Sequence, residues 1–81
     1  MFNRTDKMFV VTTNNLRALE AITEWIYRML QTSYFIQIEM FPNMTLYRIC
    51  IPMRKDWDEK VTRGITKDLT ARHIEIMESL T

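Results

Sequence analysis

The stretch from Tyr34 to Met53 constrains this chain more than any other. It reads as two β-branched, aromatic-rich runs, Tyr34 to Phe41 and Met44 to Met53, separated by Pro42-Asn43. That pattern predicts a β-hairpin, because proline presets one turn dihedral and asparagine tolerates the tight geometry that follows. Placing Met40 opposite Thr45 across a four-residue turn sets Ile38 beside Tyr47, Ile36 beside Ile49 and Tyr34 beside Ile51. Strand side chains alternate with period two, so these residues share one face. The other face receives Gln37 with Arg48, Glu39 with Leu46 and Phe35 with Cys50. Two independently patterned runs agree on a single register.

Before the hairpin, Met1 to Asp6 reads as a short polar lead-in and Lys7–Thr12 as a strand apolar on both faces. Such strands are usually interior or covered on both sides. Thr13, Asn14 and Asn15 then offer N-caps for a helix over Leu16 to Gln31. Its apolar stripe is Leu19, Ile22, Ile26, Met29 and Leu30, with Arg17, Glu20, Glu24, Arg28 and Gln31 opposite. Glu24 and Arg28 have the favourable i,i+4 order. Met29 and Met40 are both expected in the core.

After the hairpin, Asp56 to Glu59 reads as an Asp-x-x-Glu capping box opening a second helix. Its stripe is Trp57, Val61, Ile65, Leu69, His73, Ile76 and Leu80, and Gly64 falls inside it. Glycine costs about 1 kcal/mol relative to alanine in a helix interior, so a break near Gly64 is expected, with Thr66 as a new cap. An unbroken helix to Ser79 would be ~35 Å long. A domain of this length is only ~30 Å across, so its last turns would otherwise project towards a partner.

The resulting order is β-α-β-β-α: an α+β domain with a three-stranded antiparallel or mixed sheet and two helices on one face. A crossover with room for the hairpin's second strand between its ends is the split β-α-β arrangement. It resembles a ferredoxin-like fold lacking the last strand. In the full fold that strand lies beside the first one, so its loss is expected to leave Lys7–Thr12 as an open apolar edge. Such edges attract another strand.

Composition narrows the function classes. The 81 residues hold one domain, 1–81, and 47% hydrophobic content argues against disorder. A net charge of +1 gives no bulk attraction for nucleic acid or membrane, leaving only local patches. The single cysteine, Cys50, excludes an internal disulfide and a Cys-rich zinc site. A polar start without an apolar run behind it, and no stretch approaching ~20 apolar residues, point to a cytoplasmic location and no membrane.

No combination of residues names a reaction. His73, the one histidine, sits on the apolar helical stripe, and the carboxylates Asp56, Asp58, Glu59, Glu75 and Glu78 are explained by capping or by a frayed helix end. No cofactor, metal or catalytic residue is expected. Two surfaces remain. Phe9 and Val11 on the first strand, with Phe35, Phe41 and Leu46 on the outer sheet face, form a candidate protein interface. The basic set Arg48, Arg54, Lys55, Lys60, Arg63 and Lys67, beside the Thr62-Thr66-Thr70 series, could contact phosphates of RNA or DNA.

The expectation is therefore a small non-enzymatic binding protein, an inhibitor or adaptor of a larger host protein machine. Phage and mobile-element factors that disarm host systems are common examples of such chains. It would be a homodimer through the first-strand edge or the C-terminal helix. The alternative is a nucleic-acid-binding regulator using the basic helix face.

Overall fold

The computed structural model describes residues 2–4 and 7–80, with side chains described from Lys7 onward. Met1, Thr5, Asp6 and Thr81 lie outside the described residues. The chain forms β1 (Phe2–Arg4), β2 (Met8–Thr13), α1 (Leu16–Trp25), β3 (Phe35–Met40), β4 (Thr45–Pro52) and α2 (Glu59–Ser79), with a π-helical turn at Ile26–Leu30. The α+β class and the β-α-β-β-α succession stand as expected, the three long strands forming an antiparallel sheet under two helices.

The hairpin register holds residue for residue. Met40 faces Thr45, Ile38 faces Tyr47, Ile36 faces Ile49, Gln37 faces Arg48 and Phe35 faces Cys50. Phe41 N–H donates to the Met44 carbonyl at 2.8 Å and closes the turn around Pro42-Asn43. Tyr34 falls just before β3 and so outside the ladder.

One expectation fails at the other side of the sheet. The strand order is β1-β2-β4-β3, so β2 is not an edge. The supposed polar lead-in contains β1, which pairs antiparallel with β2 through Phe2–Val11, Asn3–Val10 and Arg4–Phe9. The position beside the first strand of the split β-α-β unit, expected to be vacant, is thus filled from the N-terminal end of the chain. A three-residue strand is too short to announce itself by alternation.

The core lies between sheet and helices. Phe9, Val11, Ile49 and Ile51 are completely buried on the sheet side, facing Ile22, Ile26 and Leu69 from the helices. Each such side chain contributes roughly 1.5–3 kcal/mol by leaving water. Phe9 also meets Trp57 with ring centroids 6.2 Å apart.

Helix α1 begins as expected, with the Asn15 side chain accepting from Arg17 N at 2.9 Å and Ala18 N at 3.2 Å. Its end differs. Gln31 N–H donates five residues back to the Ile26 carbonyl at 3.1 Å, a π-type bond. The wider turn rotates each side chain by less than an α-helix does. Leu30 stays packed against the core, whereas Met29 swings off the stripe and is 68% exposed. The assignment of Met29 to the core is corrected on that ground.

Helix α2 is continuous from Glu59 to Ser79, so the break at Gly64 does not occur. Gly64 has no left-handed φ, and Thr66, far from capping a new helix, donates its hydroxyl to the Thr62 carbonyl at 2.9 Å. The cap is Asp58, whose Oδ1 accepts from Val61 N at 2.8 Å. Asp56, expected in that role, binds Arg54 through two 3.0 Å contacts instead. The last turns do not hang free: Ile76 is buried, and Met77 and Leu80 pack against the core. A helix of ~31 Å fits because the domain is elongated, 40 × 24 × 18 Å.

Candidate interaction surface

With β2 paired on both sides, Phe9 and Val11 cannot serve as interface residues. Their side chains are fully buried and their strand lies between β1 and β4. Among the described strands, the long unpaired edge belongs to β3.

Every residue of β3 is exposed. On its outer face lie Phe35, Gln37 and Glu39; on the helix-facing side lie Ile36, Ile38 and Met40. Neither helix covers this inner set, because α1 packs on β2 and β4 while α2 packs on α1 and β1. Ile38 therefore remains 61% exposed and Met40 81% exposed, and the placing of Met40 in the core is corrected. Tyr34, Phe41 and Met44 continue the exposed apolar strip at both ends of the strand.

Hydrogen-bond alternation shows which backbone groups this edge presents. In an antiparallel ladder, pairs that exchange bonds alternate with pairs that do not. The Phe41–Met44 bond sets the phase, so Glu39, Gln37 and Phe35 bond to β4 while Met40, Ile38 and Ile36 turn their N–H and C=O outward. The opposite end agrees: Met53 N–H donates to the Lys7 carbonyl at 2.9 Å, placing Ile51, Ile49 and Tyr47 in bonded pairs with β2. Among the described residues, no strand receives the outward groups of Ile36, Ile38 and Met40.

The outer face adds Phe35 and Phe41, both exposed, and the half-buried Leu46. Strand β1 sits at the far edge of the sheet and so leaves these three uncovered. Glu39 is the only charged residue of β3, and its Oε1 lies 2.8 Å from Arg48 Nη1. The local charge of the edge is thereby offset.

The predicted order, with the hairpin's first strand at the end of the sheet, already implied this second edge. Alternation alone misled, because it reports which residues share a face and not whether a helix lies over that face.

Three of the six basic residues, Arg48, Arg54 and Arg63, are paired with carboxylates. Arg48 stands on the sheet; Arg54 and Lys55 precede α2; Lys60, Arg63 and Lys67 follow along its first half. Arg54 pairs with Asp56 at 3.0 Å and Arg63 with Glu59 at 4.0 Å. The threonine hydroxyls are engaged within the helix, Thr62 to the Asp58 carbonyl and Thr70 to the Thr66 carbonyl, each at 2.8 Å.

Cys50 is buried on the outer sheet face, and burial raises its thiol pKa, partly countered by Arg48. Such a thiol is a poor nucleophile. His73 is half-buried in a shallow cleft with Thr12, Leu46, Arg48 and Met77, and burial lowers its pKa. Among the described residues, no group of three or more His, Cys, Asp or Glu side chains could hold a metal ion. No helix among them is long and apolar enough to cross a membrane. No protein-family model matches the chain, and neither a curated protein nor a solved structure matches it.

Proposed function

We propose that this is a non-enzymatic binding protein that acts by strand addition along the free edge of β3. The observation that carries this reading is the coincidence of an exposed apolar strand with outward backbone groups at Ile36, Ile38 and Met40. Main-chain bonds to an added strand supply affinity, and alternate side chains supply specificity. Proteins usually guard such edges with lysine, proline or a bulge. Here Phe35–Met40 carries neither lysine nor proline, and its one carboxylate is held by Arg48.

An inhibitor or adaptor of a larger protein would use such an edge to hold a strand of its target. The reading is tested by comparing proteins captured from host lysate by the wild type and by Ile38→Lys. A strand held by the wild type, from another protein or from a second copy of the chain, and lost by the variant is expected. Equal capture by both would remove β3 from the binding surface.

A further inference from the structure

The β3 edge is complementary to itself in one register. We infer that its occupant is a second copy of this chain, paired β3 to β3 about a two-fold axis through Ile38, giving one continuous eight-stranded sheet. This inference rests on the β3-edge reading above and adds the partner and the geometry.

A dyad perpendicular to the sheet keeps like faces together, so residues of the same parity meet. Centred on Ile38, the outward-bonding residues match throughout: Ile36 faces the partner's Met40, and Ile38 faces the partner's Ile38. On the outer face, Gln37 meets the partner's Glu39 and Phe35 meets the partner's Phe41. Aromatic pairs are favourable cross-strand neighbours, and a glutamine amide can donate to a carboxylate. A shift to Gln37 as centre sets Phe35 against a carboxylate. A shift to Glu39 sets two carboxylates face to face, which is unfavourable.

The area is of the right order. A large side chain offers roughly 150–250 Å². The exposed parts of Tyr34, Phe35, Ile36, Ile38, Met40 and Phe41 then amount to several hundred Å² per protomer, an upper bound on what pairing buries and below the ~800 Å² per partner of a standard interface. The dyad would also bring the two uncovered Ile36–Ile38–Met40 strips together, removing from water the apolar surface that neither helix covers.

The experiment is light scattering on a sizing column across a concentration series of the full chain, with absorbance read at 260 and 280 nm. Wild type is expected at twice the chain mass with a pure protein spectrum. Ile38→Lys sets two ammonium groups face to face at the dyad and should weaken the dimer about 100-fold or more, with an unchanged circular dichroism spectrum. Gln37→Lys tests the register. It gives two Lys–Glu39 pairs in the proposed alignment and should tighten the dimer roughly 2- to 30-fold at low salt. In the Gln37-centred alignment the same change opposes two lysines and weakens it.

Weakening by Gln37→Lys therefore overturns the register. A wild-type monomer at every concentration overturns self-pairing but leaves strand addition by another protein to the capture experiment. A dimer untouched by Ile38→Lys places the interface elsewhere and overturns the inference together with the reading beneath it. Excess absorbance at 260 nm that high salt removes, with a monomeric protein mass, identifies nucleic acid as the ligand and overturns the inference.

Discussion

Arg48 on β4 reaches diagonally past its direct neighbour Gln37 to hold Glu39, Nη1 to Oε1 at 2.8 Å. This bond ties the one charged residue of the free edge strand back to the interior of the sheet. Both groups are partly exposed, so the pair should contribute only about 0.2–1 kcal/mol and should weaken with salt. A double-mutant cycle of Glu39→Gln and Arg48→Met, followed by urea unfolding, reads that coupling directly. Zero coupling at low salt would show that the two groups do not act on each other.

Among the described residues, the glycine and the left-handed residue stand at different positions. Gly64, its only glycine, occupies the interior of α2 without a left-handed φ, and an added Cβ would meet nothing within 4 Å. Gly64→Ala should therefore stabilise the fold by about 0.5–1 kcal/mol. Gln31 ends the first helical segment at φ 50 and ψ 44, a conformation unfavourable for a side chain with a Cβ. Gln31→Gly should stabilise by up to about 1 kcal/mol. Thermal unfolding of both variants checks the pair, and a loss of stability in either would contradict the backbone assigned to it.

Ile49 and Ile38 lie on the same face of neighbouring strands yet differ completely in burial. Ile49→Ala should cost about 2–5 kcal/mol through lost burial and the cavity left behind. Ile38→Ala should change monomer stability by less than about 0.5 kcal/mol, since that side chain mostly faces solvent. Chemical denaturation at low protein concentration separates the two. Similar losses would mean that Ile38 is covered within the monomer.

Burial lowers the pKa of His73 below its usual 6.5, so the unfolded chain takes up the proton first as pH falls. Its contribution to stability is complete above that value and is lost as pH drops towards the depressed folded pKa. Wild-type stability should therefore decline more than that of His73→Gln between about pH 7 and about pH 5. Parallel pH profiles would remove His73 as the titrating group.

Much of this fold was legible in the sequence because local and long-range patterns agreed. The register of β3 on β4 follows from two alternating runs, and Asn15 capped the helix that its position announced. What was not legible depended on packing between distant parts. Three residues of β1 carry too little pattern to reveal a strand, yet they close the edge of β2. The π turn that expels Met29 is a backbone choice that helical periodicity does not encode. Asp56 and Asp58 compete for one cap, and the bidentate contact with Arg54 removes Asp56 from that contest. The outward exposure of Phe35 and Phe41 was legible in the alternation. The exposure of Ile36, Ile38 and Met40 was not legible, because alternation reports a shared face and not whether a helix covers it.

The most direct test of the β3 edge is amide hydrogen exchange followed residue by residue as the protein is concentrated. In the dilute chain, the amides of Gln37 and Glu39 should be protected by β4, while those of Ile36, Ile38 and Met40 should exchange freely. On concentration, protection should rise at Ile36, Ile38 and Met40 and stay level at their neighbours. Free exchange at those three amides under every condition, including in the presence of any captured partner, would contradict strand addition at β3.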